Sequence, residues 1–325
     1  MKHRIFLAGA VALLLAVVAF MAWDIFFARP DPAENPYAYE LHEFRQGDTA
    51  LLLYAEARSF DPGFSPVNAI CCTGDGSIIV AGAKKVAIFD SAGRATGGFP
   101  VSGTTTAMFV TSAGRIWLGM EDHVEIFDMK GNRLQAWDKP ADNAVITSLA
   151  AGESDTWIAD AANRVVYRCD TSGEIIRKLG EKDPVRGIPG LVVPSPYFDL
   201  GIFQGGELWV VNPGRHKFER YGTDGELLES WGLSSMTMEG FCGCCNPSNF
   251  AFLSDGSFVT SEKGIERVKI YWPDGTFRGV VALPSSFTEG TRGLDLAVDP
   301  NDRILLLDPA RNLVRIFEAV DKQAR

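Results

Sequence analysis

Histidine is scarce in this chain, four among 325 residues, and 31 Lys and Arg against 41 Asp and Glu leave a net charge of −10. No basic run follows the first few residues. That excludes a general nucleic-acid role, because phosphate binding needs a concentrated Lys/Arg surface. The G-x-S-x-G elbow, the P-loop and the dinucleotide-binding glycine fingerprint are missing too, and with them the commonest hydrolase, nucleotide and hydride-transfer signatures. Past the N-terminus only His42, His123 and His216 are left, and His42 precedes the repeats, so a three-His metal centre is hard to assemble. Long hydrophobic runs are absent but for one, residues 5–23.

That run follows Lys2, His3 and Arg4 and is broken at Asp24. At about 1.5 Å per residue it is long enough to cross a bilayer core. Residues suited to signal cleavage are limited to Val17 and Ala19, with bulky Phe20 and Trp23 following, so an uncleaved transmembrane signal-anchor over 1–27 is expected. Lys2 and Arg4 hold the N-terminus in the cytoplasm and direct the rest to the periplasmic, extracytoplasmic side of the inner membrane. The Pro-rich polar stretch that follows reads as a tether over 28–48.

Beyond the tether the sequence repeats. Units begin at Val67, Thr105, Ile146, Phe198, Ser248 and Leu294, each with β-rich runs separated by Gly or Asp turns. Four short antiparallel strands repeated six times predict an all-β fold, a six-bladed β-propeller over 49–320. The sixth unit stops a strand early, and residues 49–60 offer the missing one, which would close the ring and remove two exposed edges. The segments DTWIADAANRVVYRCDTSGEI, from Asp155, and RILLLDPARNLVRIF, from Arg303, resemble repeats of the NHL β-propeller family. The resemblance covers about residues 64–318 and is weakest in unit one. It implies a scaffold for binding and occasionally for catalysis, so it speaks to fold more than to function. Six-bladed propellers of the gluconolactonase type hold a divalent metal with carboxylates and Asn; Asp199, Asn212 and Glu262 are the residues that could do so here. A metal-dependent hydrolase or lyase in the central funnel is therefore the alternative reading.

Alternating strand direction puts the short Gly-Asp turns on one face and the connections 181–194, 233–247 and 284–293 on the other. Long loops gathered on one side of a rigid scaffold are where function usually sits. Cysteine usage divides along the same line. Cys169 replaces a core aromatic, and Cys71 and Cys72 fall in an inner strand, all three as packing residues. Cys242, Cys244 and Cys245 stand apart in EGFCGCCNP. Three chemistries fit them: a strained disulfide (Cys242–Cys244 or Cys242–Cys245), a thiophilic metal such as Cu or Zn with His216 or Glu262 as fourth ligand, and part of an Fe–S cluster. Lys263 or Arg267 could supply positive charge to a thiol. Tyr197, Asp199, Arg215, His216, Asn246, Glu262, Lys263 and Arg267 complete the expected binding face. The leading expectation is a membrane-anchored binding or assembly module for a protein or redox partner, its cysteine loop redox-active or metal-holding.

Overall fold

The computed structural model describes residues 2–27, 44–152, 154–203 and 206–320. The chain divides into two compact units, 1–41 and 42–325. In the first, the described residues form the helix Lys2–Phe27. Among the described residues no helix is long and apolar enough to cross a membrane. Most of the expected tether, 28–43, lies outside the described residues.

The second unit is a six-bladed β-propeller, with six antiparallel sheets. Five have four strands. The sixth blade takes Leu296–Val298, Ile304–Asp308 and Leu313–Ala319 from the C-terminal end and its outer strand, Tyr54–Phe60, from the N-terminal end. Tyr54 pairs with Ala319 and Phe60 with Val314, so the expected N-terminal closing strand is in place. An Arg315–Glu56 ion pair at 2.6 Å fastens it.

The first blade departs from four strands. Its inner strand Val67–Cys72 runs against the first half of Ile78–Phe89, whose second half runs against Ala95–Thr104. The change of partner comes at Lys84, with φ of 57°. Two runs that are separate strands in the other units are here continuous in one element.

Apolar residues on alternate positions fill the spaces between neighbouring blades, as in the packing of Ile79 and Val86 against Ile116 and Leu118. Cys169 is buried in one such layer with Trp117 and Trp137. Cys71 and Cys72 are half-buried and enter two different layers, as adjacent strand residues should. A second pattern spans the repeats. The last residue of a second strand stands beside the residue seven positions on, in the third strand: Asn212 with Glu219 at 2.9 Å, Glu262 with Lys269 at 2.7 Å and Asp308 with Arg315 at 3.3 Å. Asp160 and Tyr167 occupy the same positions in blade three. Each of these eight residues is buried.

Candidate functional site

Blade five consists of Asn249–Phe252, Phe258–Glu262, Arg267–Tyr271 and Phe277–Ala282. The connection 233–247 folds back over it. The Phe241 amide donates to the Leu233 carbonyl at 2.7 Å and the Ser235 amide to the Phe241 carbonyl at 3.0 Å, so the loop is a closed flap. Phe241 is its plug. The ring is fully buried and packs against Tyr271 and Phe218, with centroids 5.1 and 6.1 Å away. Gly240 is required at the fold-back, since a Cβ there would come within 2.5 Å of Ser235.

Carbonyls tucked inward by such a flap need donors. Blade five supplies them from one strand. Lys269 Nζ donates to Gly240 O at 2.6 Å, Arg267 Nη2 to the same oxygen at 2.9 Å, and Tyr271 OH to Glu239 O at 3.0 Å. Glu262 balances these cations, accepting from Arg267 Nε and from Lys269 Nζ, both at 2.7 Å. Glu262, Arg267 and Lys269 are all at most 1% exposed. Two cations and one anion leave an excess of positive charge away from water. Burial pushes Lys269 down to about 8 although Glu262 opposes this. Burial would raise Glu262, but Lys269 and Arg267 outweigh it and hold the carboxylate below its usual range.

The three cysteines are distributed unequally along this flap. Cys242 is buried, with Sγ 4.0 Å from Arg267 Nη2. Arg267 thus faces the loop, but burial first and Glu262 second keep the Cys242 thiol above its ordinary range. Cys245 is buried and Cys244 exposed, and their sulfurs are 3.2 Å apart. All six cysteines are free. Among the described residues no three His, Cys, Asp or Glu side chains are grouped to hold a metal ion. The expected Cu or Zn site therefore lacks its three-sulfur arrangement: Cys242 points at a buried guanidinium, the wrong charge for a cation's neighbour.

Other expected face residues act as clamps. His216, at φ 58°, hydrogen-bonds the Ser234 hydroxyl at 2.8 Å through Nδ1 and the Gly243 carbonyl through Nε2, so it holds loop backbone rather than serving as a fourth ligand. Asn246 is buried and its amide donates to Cys242 O and, at 2.8 Å, to Lys263 O, while Lys263 N donates back to its Oδ1 at 3.0 Å. Lys263 lies over the Tyr197 ring, 4.8 Å from its centroid. Arg215 is exposed and braces Pro189 O at 3.3 Å. The surface of the expected face is thus Cys244, Lys263, Tyr197, Arg215 and His216. Glu262, Arg267 and Asn246 lie beneath it, because each has backbone or charge to satisfy inside. His123 pairs with Asp122 at 2.8 Å, well away from this loop, and His42 lies outside the described residues.

Asp199 belongs elsewhere. The second residue of each repeat faces the central channel, giving the ring Asn68, Thr106, Thr147, Asp199, Asn249 and Asp295 around a cavity of about 330 Å³. Cys71 and Cys72 line the same cavity, at its turn-bearing end. A second cavity of about 360 Å³ lies at the loop-bearing end and reaches Tyr197. Asp199 accepts from the amides of Phe250 and Leu200 at 2.8 and 2.9 Å, and Asp295 from Ile70 N at 2.8 Å and Asn249 Nδ2 at 3.2 Å. Asn249 Oδ1 is buried with no partner among the described residues. Burial raises Asp199 to about 6, and burial together with Asp199 raises Asp295 to about 7. The funnel trio expected from sequence does not assemble, since Asn212 and Glu262 face their blade-bracing partners instead.

Sequence reasoning missed Phe241, Lys269, Tyr271 and Asp295. Lys269 was readable in principle from the seven-residue spacing to Glu262. Asp295 was readable from its shared register with Asp199. Phe241 carries no local signal.

No family model matches the chain, and no curated protein does. Among solved structures, a streptogramin B lyase superimposes with a TM-score of 0.58 at 12% identity, covering 81% of this chain and 98% of that one. The WD40 β-propeller domain of Doa1 gives 0.56 at 14% identity, covering 80% and 81%. A virginiamycin B lyase from Staphylococcus aureus gives 0.56 at 11% identity, covering 81% and 99%. At these identities the likeness establishes the β-propeller fold and nothing finer.

Proposed function

We propose that this chain is a binding or assembly module, tethered by its N-terminal helix to the outer face of a cytoplasmic membrane and docking a protein partner on the loop-bearing face of blades four to six. One observation carries the reading. The flap 233–247 is long and yet fixed, its carbonyls held by Arg267, Lys269 and Tyr271 while Cys244 is left exposed on it. A loop built to stay in one shape at a surface lowers the ordering cost of binding. Anchoring rests on the apolar run 5–23 and the flanking Lys2 and Arg4.

The test is position-specific crosslinking in intact cells, with a photoreactive residue replacing Cys244 or, on the opposite face, Lys130. Crosslinks to a discrete protein from position 244 and not from 130 are expected, together with protease accessibility from the outside of spheroplasts. Equal labelling from both positions, or protection from external protease, would overturn the proposal.

The paired channel carboxyls favour a second reading, metal-dependent hydrolase or lyase chemistry in the funnel. It moves from the trio expected from sequence to Asp199, Asp295 and Asn249. The lyases among the structural neighbours lend it only a shared fold. It stands second because a third His, Cys, Asp or Glu is not grouped with these carboxyls among the described residues.

A further inference from the structure

The flap separates its three sulfurs into one and two. Cys242 is held down by its carbonyl, bonded to Asn246, and its sulfur faces Arg267. Gly243 follows at φ 79° with its carbonyl on His216, turning the chain before the next two residues. Cys244 and Cys245 then stand side by side, one exposed and one buried, with 3.2 Å between sulfurs. Neither disulfide expected from sequence matches this arrangement, since both involve Cys242.

We infer that Cys244 and Cys245 are a dithiol–disulfide couple that exchanges with a disulfide-bearing partner, Cys244 as the attacking sulfur and Cys245 as the resolving one. This rests on the loop face being the contact surface, and it names the chemistry of that face. Cys244 thiolate attacks one sulfur of the partner disulfide. The partner's S–S bond breaks, a Cys244–partner bond forms, and the other partner sulfur leaves as a thiolate that takes up a proton. Cys245 then loses its proton to solvent and attacks Cys244 Sγ. The mixed disulfide breaks, the second partner sulfur leaves as a thiolate that takes up a proton from solvent, and the Cys244–Cys245 bond forms. Two thiols are oxidised and one disulfide is reduced.

Several features suit these roles. Exposure gives Cys244 access to a partner too large to reach Cys245. Burial first, and the Cys244 sulfur with it, keep Cys245 a thiol, with Ser195 and then Lys263 pulling the other way. The buried Ser195 hydroxyl lies beside the Cys245 sulfur and favours its thiolate. Clamps at Cys242 O, Gly243 O and Asn246 fix the backbone around the pair, so exchange need not disturb the flap's buried half. Rings closed by adjacent cysteines are strained, which makes the couple easily reversed.

The experiment uses the full chain in detergent with oxidised glutathione as the disulfide, followed by thiol counting and peptide mass mapping. Wild type should lose two thiols, yield a Cys244–Cys245 link and accumulate little glutathionyl adduct. Cys245→Ser should trap the adduct on Cys244 at about tenfold the wild-type level, because the resolving sulfur is gone. Cys244→Ser should give neither link nor adduct, and Cys242→Ser should behave as wild type. A link through Cys242, a dependence on Cys242, or thiols that stay unreactive in the folded chain would overturn the inference. Crosslinking from position 244 reports separately on partner docking. Its failure alongside intact exchange would remove the docking proposal and leave a dithiol reactive toward small disulfides.

Discussion

Glu262 and Lys269 decide at the residue scale whether the flap stays down. Replacing Glu262 with Gln leaves Arg267 and Lys269 buried without an anion, and removing one partner of a buried pair costs about 3–5 kcal/mol. Lys269→Met is the milder change, because Arg267 still holds both Glu262 and Gly240 O. Urea denaturation should rank the variants in that order. Their pH response separates charge from packing. Lys269 titrates near 8 in the fold and near 10.4 when unfolded. Between those values the unfolded chain binds the proton and the folded chain does not, so this group makes stability rise with pH in that window. Below pH 8 both states are protonated and the burial penalty is constant. The stability difference, wild type minus Lys269→Met, should therefore climb from pH 8 to 10 and be flat from 6 to 7.5. A flat difference throughout would mean that Lys269 is already neutral or not buried.

Elements show why some of this was legible and some was not. The strand runs, the Gly turns and the spare N-terminal strand are local or periodic, so the repeat carried them. The pairing at seven-residue spacing is periodic as well, and it marks Glu262 as blade five's bracing residue, with the same acid-then-base order as Asp308 and Arg315. Read alone, Arg267-Val-Lys-Ile-Tyr alternates like a half-solvated strand. Only the flap, contributed from a segment with no repeat partner, turns its polar side inward. Its long-range contacts leave no periodic trace, so Glu262 and Arg267 read as surface residues and Phe241 as an ordinary loop residue. Gly240→Ala tests the flap as an element. The Cβ would meet Ser235 at 2.5 Å, and overpacking of that kind costs about 1–3 kcal/mol. The flap should lift while the blades persist, raising the alkylation rate of Cys242 several-fold with little change in far-UV circular dichroism. Unchanged Cys242 protection would contradict a tightly seated flap.

At the scale of the whole molecule, the ring is closed by Tyr54–Phe60 and brings six repeats around one channel. That closure puts Asp199 and Asp295, from adjacent-but-one blades, at one level; among the described residues no cation side chain lines the cavity they share, while Arg292 lines the second cavity that Asp295 also reaches. Burial raises both, Asp295 to about 7. The unfolded value is about 3.9, so the folded chain binds more protons between these limits and stability falls as pH rises through them. Asp295→Asn should abolish its share of that fall. Its oxygen can keep the bond to Ile70 N while its NH2 donates to the unpartnered Asn249 Oδ1, once the Asn249 amide turns. Asp199 has no such outlet, since both its oxygens accept backbone amides. At about 1.4 kcal/mol per pKa unit, Asp295→Asn should be more stable than wild type at pH 7.5 by a few kcal/mol and about equal at pH 4. Thermal melts at the two pH values, with and without millimolar Ca²⁺ or Mg²⁺, complete the test. A cation that raises the wild-type melting temperature at pH 7.5 but leaves Asp295→Asn unmoved would favour metal-dependent chemistry in the funnel. A channel indifferent to both ions would leave the carboxyl pair a destabilising feature tolerated by the closed ring, and the working surface at the flap.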